Sequence, residues 1–207
     1  TMISMSTHDY LLLFTNTGRV YRMRGFNVPN ASRTSKGIPI VNLLTLEKVN
    51  KSKTLQPVPK DYKFNDIEFK NLLFVTKNGI VKRTSVSEFE NINRNGKIAI
   101  SLKEDDELAF VKLTTGNDEI IIAGSNGKAV RFNEDQIRVM GRSAAGVTGF
   151  NCDGSEVVGV ALSNEGKTIL SISENGYGKR SYLEDYRLTS RGRKVFVRSI
   201  LQKRPEN

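Results

Sequence analysis

The residues that recur at fixed spacing in this chain are bases. Arg22, Arg83, Arg131 and Arg180 each stand four residues after a glycine, at positions 18, 79, 127 and 176. A second set, Arg33, Arg94, Arg142 and Arg191, follows each of these, and its first three members precede Gly37, Gly96 and Gly146 by a few residues. A guanidinium stays charged and only donates, so it does no acid–base work; it binds carboxylate or phosphate. Two readings stand for the first set: pairing with an acidic side chain inside its own unit, or display to a polyanion. The second set is harder to explain by packing alone. Bases at equivalent places on successive units make a continuous track, suited to the phosphates of a bent duplex held without base reading. With neighbouring bases the candidate DNA contacts are Arg22, Arg24, Arg33, Lys36, Lys82, Arg83, Arg94, Lys97, Arg131, Arg138, Arg142, Lys179, Arg180 and Arg191.

Other chemistry is sparse. One histidine, His8, and one cysteine, Cys152, do not assemble an ordinary zinc site or a Cys-His or Ser-His-Asp machine. Glu104, Asp105, Asp106 and Glu107 read as a solvated turn rather than a paired acid and base. No Gly-rich phosphate loop of the nucleotide-binding kinds is present. The expectation is a chain without an active site, a metal or a cofactor. Thirty-two Lys and Arg against 22 Asp and Glu give a net charge of +10 over 207 residues. That balance points to nucleic acid first and to an anionic membrane surface second. The membrane option is weakened because no basic amphipathic helix and no apolar run of about twenty residues is found. No secretory signal is visible, and a single cysteine fits a reducing cytosol. The chain opens at Thr1 in the approach to a strand, as a piece of something longer would.

The elements that position the bases are hairpins. Four segments share an apolar run, a tight turn with Gly and a short strand ending in the base: 10–22, 72–83, 119–131 and 168–180. Three of the turns are Asn-Gly, which predicts type I′ hairpins. After each hairpin comes a polar stretch with an apolar anchor (Phe26, Phe89, Ile137, Tyr186). In the first three units the Arg and the second Gly follow, then an alternating strand, a polar turn and a closing strand. That makes four strands per unit of roughly fifty residues, the spacing of blades in a propeller-like array. The fold class is therefore all-β, a partial array of about three and a half blades with repeats at 1–70, 71–118, 119–167 and 168–207. The first is longer because of a Lys-, Asp- and Pro-containing stretch at 51–70, expected to be an extended loop.

The hairpins, the runs Gly37-Ile-Pro-Ile-Val-Asn-Leu-Leu44 and Ala144-Ala-Gly-Val-Thr-Gly149, and Asn175-Gly-Tyr-Gly-Lys-Arg180 resemble the DNA gyrase A C-terminal domain over roughly residues 1–192. The resemblance implies a β-pinwheel of propeller-like blades whose basic perimeter wraps double-stranded DNA. It implies a cytoplasmic, non-catalytic module. Partners would be the remainder of the gyrase A protein and the ATP-driven gyrase B protein, with the nucleophilic tyrosine, metal and ATPase elsewhere, and negative supercoiling as the outcome. The alternatives are the corresponding domain of topoisomerase IV and a propeller used for protein–protein contact.

Two departures qualify the resemblance. No heptapeptide of the Gln-Arg-Arg-Gly-Gly-Lys-Gly kind occurs, so either its blade precedes Thr1 or the chain is of the topoisomerase IV kind; the Pro39–Leu44 and Asn175–Arg180 runs favour gyrase. Val195 stands where register predicts Gly, and residues 193–207 match neither the strand nor the turn that should follow, which is expected of a truncated or altered-frame tail. The tail holds five bases and one acid, which leaves +6 for residues 1–192. Alone, the chain is expected to bind duplex DNA but to wrap it poorly. Charge reversal at Arg83 or Arg131 is expected to weaken binding with little loss of fold.

Overall fold

The structure, a computed structural model, describes residues 4–39, 42–43, 52–58 and 70–193, so the off-register tail beyond Arg193 lies outside it. The described residues form thirteen β-strands and short 3-10 turns. The strands are β1 (Tyr10–Thr15), β2 (Arg19–Arg24), β3 (Ser52–Val58), β4 (Asn71–Thr76), β5 (Ile80–Ser85), β6 (Lys97–Ile98) and β7 (Leu108–Thr114). They continue with β8 (Glu119–Gly124), β9 (Ala129–Asn133), β10 (Val147–Thr148), β11 (Val157–Leu162), β12 (Thr168–Ile172) and β13 (Gly178–Tyr182). The predicted all-β array is what forms, and β3 occupies part of the stretch expected as loop, paired antiparallel to β1.

Each hairpin is closed by a local turn. In all four, the N–H of the turn glycine donates three residues back, to the carbonyls of Thr15, Thr76, Gly124 and Ser173. Only the glycines take positive φ, from 75° to 84°; Asn78, Asn126 and Asn175 do not. A type I′ turn needs positive φ at both central residues, so that expectation is corrected. These are three-residue loops, a type I turn closed by a left-handed glycine.

The sheets are not self-contained units. The first runs β3-β1-β2-β6 and the second β7-β4-β5-β10; the third is β11-β8-β9 and the fourth β12-β13. The two-residue strand after the second glycine therefore leaves its own hairpin and pairs with the previous one, β6 at Arg19–Val20 and β10 at Ile80–Val81. Parallel bridges from Val139 to Arg83 and from Leu188 to Arg131 extend the same edge. On the opposite edge β3 contacts β7 and β7 contacts β11. One edge of each of the first three sheets thus meets its neighbours. The other, built from β6, β10 and residues 188–189, lies outward.

Burial follows from this stacking. Leu72 and Phe74 pack with Leu12, Phe14, Val20 and Phe89 between the first and second sheets. Leu73 and Val75 point the opposite way, into Ile120, Ile122, Val130, Phe132 and Phe150. A strand buried on both faces needs a continuous apolar run rather than alternation, which is why β1, β4 and β8 read as they do. Phe14, Phe74 and Phe89 meet with ring centroids 5.5–5.9 Å apart. The fourth sheet has one covered face, and Leu170 and Ile172 stay exposed on the other.

Candidate nucleic-acid interface

Three of the four hairpin arginines reach the unit that follows them. Arg83 on β5 meets Glu134 at 3.4 Å, with only 11% and 1% of the two side chains exposed. The other carboxylate oxygen of Glu134 accepts from the backbone N–H groups of Gly116 and Asp118, at 2.6 and 2.8 Å. Arg131 on β9 donates Nε and Nη2 to one Glu119 oxygen at 2.9 and 2.5 Å. Its Nη1 donates to the carbonyls of Leu183 and Tyr186, at 3.0 and 2.8 Å. Arg22 donates to the Glu90 carbonyl and lies 4.4 Å from the Tyr10 ring centre. Thus Arg22, Arg83 and Arg131 each reach the 3-10 turn of the next sheet or the residues beside it. For Arg131 the carboxylate is in its own unit, as the pairing reading had it; for Arg83 it comes from the neighbour. Arg180 and Lys179, on the last hairpin, are exposed.

Lys82 is a correction. It is fully buried, and Nζ donates to the carbonyls of Ala99 at 2.5 Å, Gly141 at 3.2 Å and Arg142 at 2.5 Å. The Phe74 ring centre is 5.1 Å away. Burial, with Arg142 adding repulsion and Glu88 partly offsetting it, lowers its pKa from 10.5 to about 7. A phosphate has no access to this amine. The Lys82 side chain joins two neighbouring segments instead.

Two members of the second arginine set, Arg142 and Arg191, are held along the outward edge. Arg142 Nη1 approaches the Ile98 carbonyl at 3.5 Å. Arg191 donates Nη1 to the Thr148 carbonyl at 2.9 Å and Nε to the Gln136 carbonyl at 3.0 Å. Ile98 and Thr148 end the equivalent strands β6 and β10, so each arginine staples its loop to the strand before it. Packing therefore accounts for part of this recurrence, at Arg142 and Arg191. Both remain half-exposed, while Arg33, Lys36, Arg94 and Arg138 are exposed and Lys97 half-exposed. Arg24 stacks on Tyr10 at 4.0 Å and donates to the His8 carbonyl. Arg187 was missed by sequence reading. It precedes the bridging Leu188 as Arg138 precedes Val139, and it is exposed. Only the cross-sheet bridge reveals that equivalence.

Asp106 is buried and accepts from the N–H groups of Asn78 and Glu107 at 3.0 and 2.9 Å, so the acidic run is not simply a solvated turn. Cys152 is half-buried, and burial pushes its thiol pKa up.

The family profile described as DNA gyrase C-terminal domain, beta-propeller, matches residues 9–49, 70–115, 118–164 and 167–194. The DNA gyrase A protein of Staphylococcus epidermidis is 48% identical over 209 aligned residues, covering 100% of this chain and 23% of the relative. The Staphylococcus aureus protein of the same name is 47% identical with the same coverage. These matches run through residues 193–207, against the expectation of an out-of-frame tail. Among solved structures, the C-terminal domain of DNA topoisomerase IV is similar at a TM-score of 0.82 and 29% identity, covering 95% of this chain and 60% of that one. The DNA gyrase A C-terminal domain gives 0.74 and 26%, with 93% and 60% covered.

Proposed function

The chain belongs to the DNA gyrase C-terminal domain family, a module of type IIA topoisomerases, and from that premise we propose that it binds duplex DNA along its outward sheet edge and bends it there. The observation that carries this reading is the run of accessible bases on one edge: Arg94 and Lys97, then Arg138 and Arg142, then Arg187 and Arg191. Each group sits beside a strand or bridge joining neighbouring sheets, so the spacing of the bases is set by the stacking of the sheets. Bending a site of 20–30 base pairs by 40–90° costs about 1–6 kcal/mol, which several phosphate contacts offset.

We further propose the division into repeats at 1–70, 71–118, 119–167 and 168–207, with the edge strand of each donated to the repeat before. Arg22, Lys82, Arg83 and Arg131 are reassigned from phosphate contacts to joints between repeats. The chain spans 23% of the length of its curated relatives. In the whole protein it would work in the cytoplasm with the rest of the gyrase A protein and with gyrase B, directing negative supercoiling by catalytic parts that lie elsewhere. The test is affinity for random-sequence duplex as a function of salt. About five engaged phosphates give a log–log slope of about −4 to −5. A propeller that only contacts protein gives no binding at low salt.

A further inference from the structure

Lys82 has no equivalent at the other junctions. The residue before the hairpin arginine is Tyr21 in the first hairpin, Val130 in the third and an exposed Lys179 in the fourth. At the second, the ammonium meets three carbonyls, one from the segment after β6 and two from the loop carrying Arg142. The same two segments are joined by Ser101, whose N–H donates to the Ala144 carbonyl at 3.3 Å and whose hydroxyl donates to the Ser143 carbonyl at 2.7 Å. These segments display Lys97 and Arg142, members of the proposed DNA edge. Three carbonyl acceptors call for three N–H donors, which the ammonium supplies and the neutral amine, with two, does not. Among the described residues no carboxylate hydrogen-bonds it. Arg142 faces it from the loop and repels, Glu88 from the 3-10 turn Val86–Phe89 attracts, and Lys97 precedes Ala99 by two residues on the β6 side.

We propose that Lys82 is a positioning residue for the DNA edge, and that duplex binding over Arg142 and Lys97 takes up a proton on its amine. This rests on the DNA-binding reading above. Phosphates laid beside Arg142 add negative potential and favour the ammonium, and the ammonium locks both segments in place. Because burial already brings this amine's pKa to about 7, the free chain is only partly protonated at neutral pH. By linkage, affinity for duplex DNA then falls as pH rises above 7, with a limit of about tenfold per pH unit for one proton.

The experiment is calorimetric titration of the 207-residue chain with a random-sequence duplex at a pH of about 7.5 and constant ionic strength, in phosphate and in Tris, whose ionisation enthalpies differ. Uptake of about 0.5–0.8 proton per binding event is expected of one group titrating in this range, and it should vanish in K82M and in the permanently charged K82R. Affinity should fall severalfold from about pH 6.5 to 8.5 for the wild type and stay flat for K82R. DNA binding without proton uptake, or with equal uptake in K82R, overturns this proposal and leaves the DNA reading standing. No binding at any pH overturns both. Should K82M fail to fold, the wild type and K82R decide alone.

Discussion

Arg83 and Lys82 are neighbours in sequence, and neither is placed to touch a phosphate. Arg83 is held by Glu134, itself saturated by two backbone donors, so reversing the arginine's charge leaves two carboxylates facing each other in a buried site. Breaking a buried pair from one side costs about 3–5 kcal/mol. R83E should therefore lower the urea midpoint strongly or unfold the chain, while R94E at the exposed edge changes the midpoint little. An unchanged midpoint for R83E contradicts the buried pair. Lys82 predicts a pH dependence of stability. Its pKa falls from 10.5 unfolded to about 7 folded, so the unfolded chain holds more protons between those values. Stability should rise from pH 7 toward 10.5, by up to about 1.4 kcal/mol per pH unit, and be lost as pH falls back through 7. Urea titrations of the wild type and K82M across roughly pH 7–9 check this; equal slopes refute it.

At the scale of elements, one turn glycine does two jobs and another does one. Gly79 has φ +84°, and a Cβ there would lie 2.2 Å from the Phe150 carbonyl oxygen, donated by the following unit. Gly127 has φ +75° and open space among the described residues. G127A should cost about 1–2 kcal/mol, the left-handed strain alone, and G79A clearly more, because backbone must move. Thermal unfolding of the two variants decides it, and equal costs contradict the docking of Phe150 on that turn. These glycines also mark what the sequence discloses. The hairpins were legible because an apolar run, a Gly turn and a second strand are contiguous, and the turn type was missed because Asn-Gly serves both I′ and type I plus glycine loops. The exchange of β6 and β10 was not legible. A two-residue strand has no periodicity, and its partner edge lies well upstream in the chain, before the hairpin it follows. For the same reason Arg142 and Arg191 read as free bases although their carbonyl partners belong to the previous unit.

At the scale of the molecule, the stacked sheets turn scattered bases into one edge, because the described junctions repeat one pairing with the sheet before, through a two-residue strand at the first two and a bridge at the third. The net charge of +10 is compatible with many partners; the proposed partner, duplex DNA, is a polyanion long enough to run along several junctions. The accessible members, Arg94, Lys97, Arg138, Arg142, Arg187 and Arg191, are a different set from the joints Arg22, Lys82, Arg83 and Arg131. The most direct measurement is duplex affinity across salt for the wild type and for R138E/R187E, with unfolding midpoints taken alongside. A wild-type log–log slope of about −4 to −5 is expected, falling in magnitude by about 2 in the double variant, with little change in midpoint or in preference between sequences. A slope near zero, or a double variant that binds like the wild type, would contradict a DNA track on this edge.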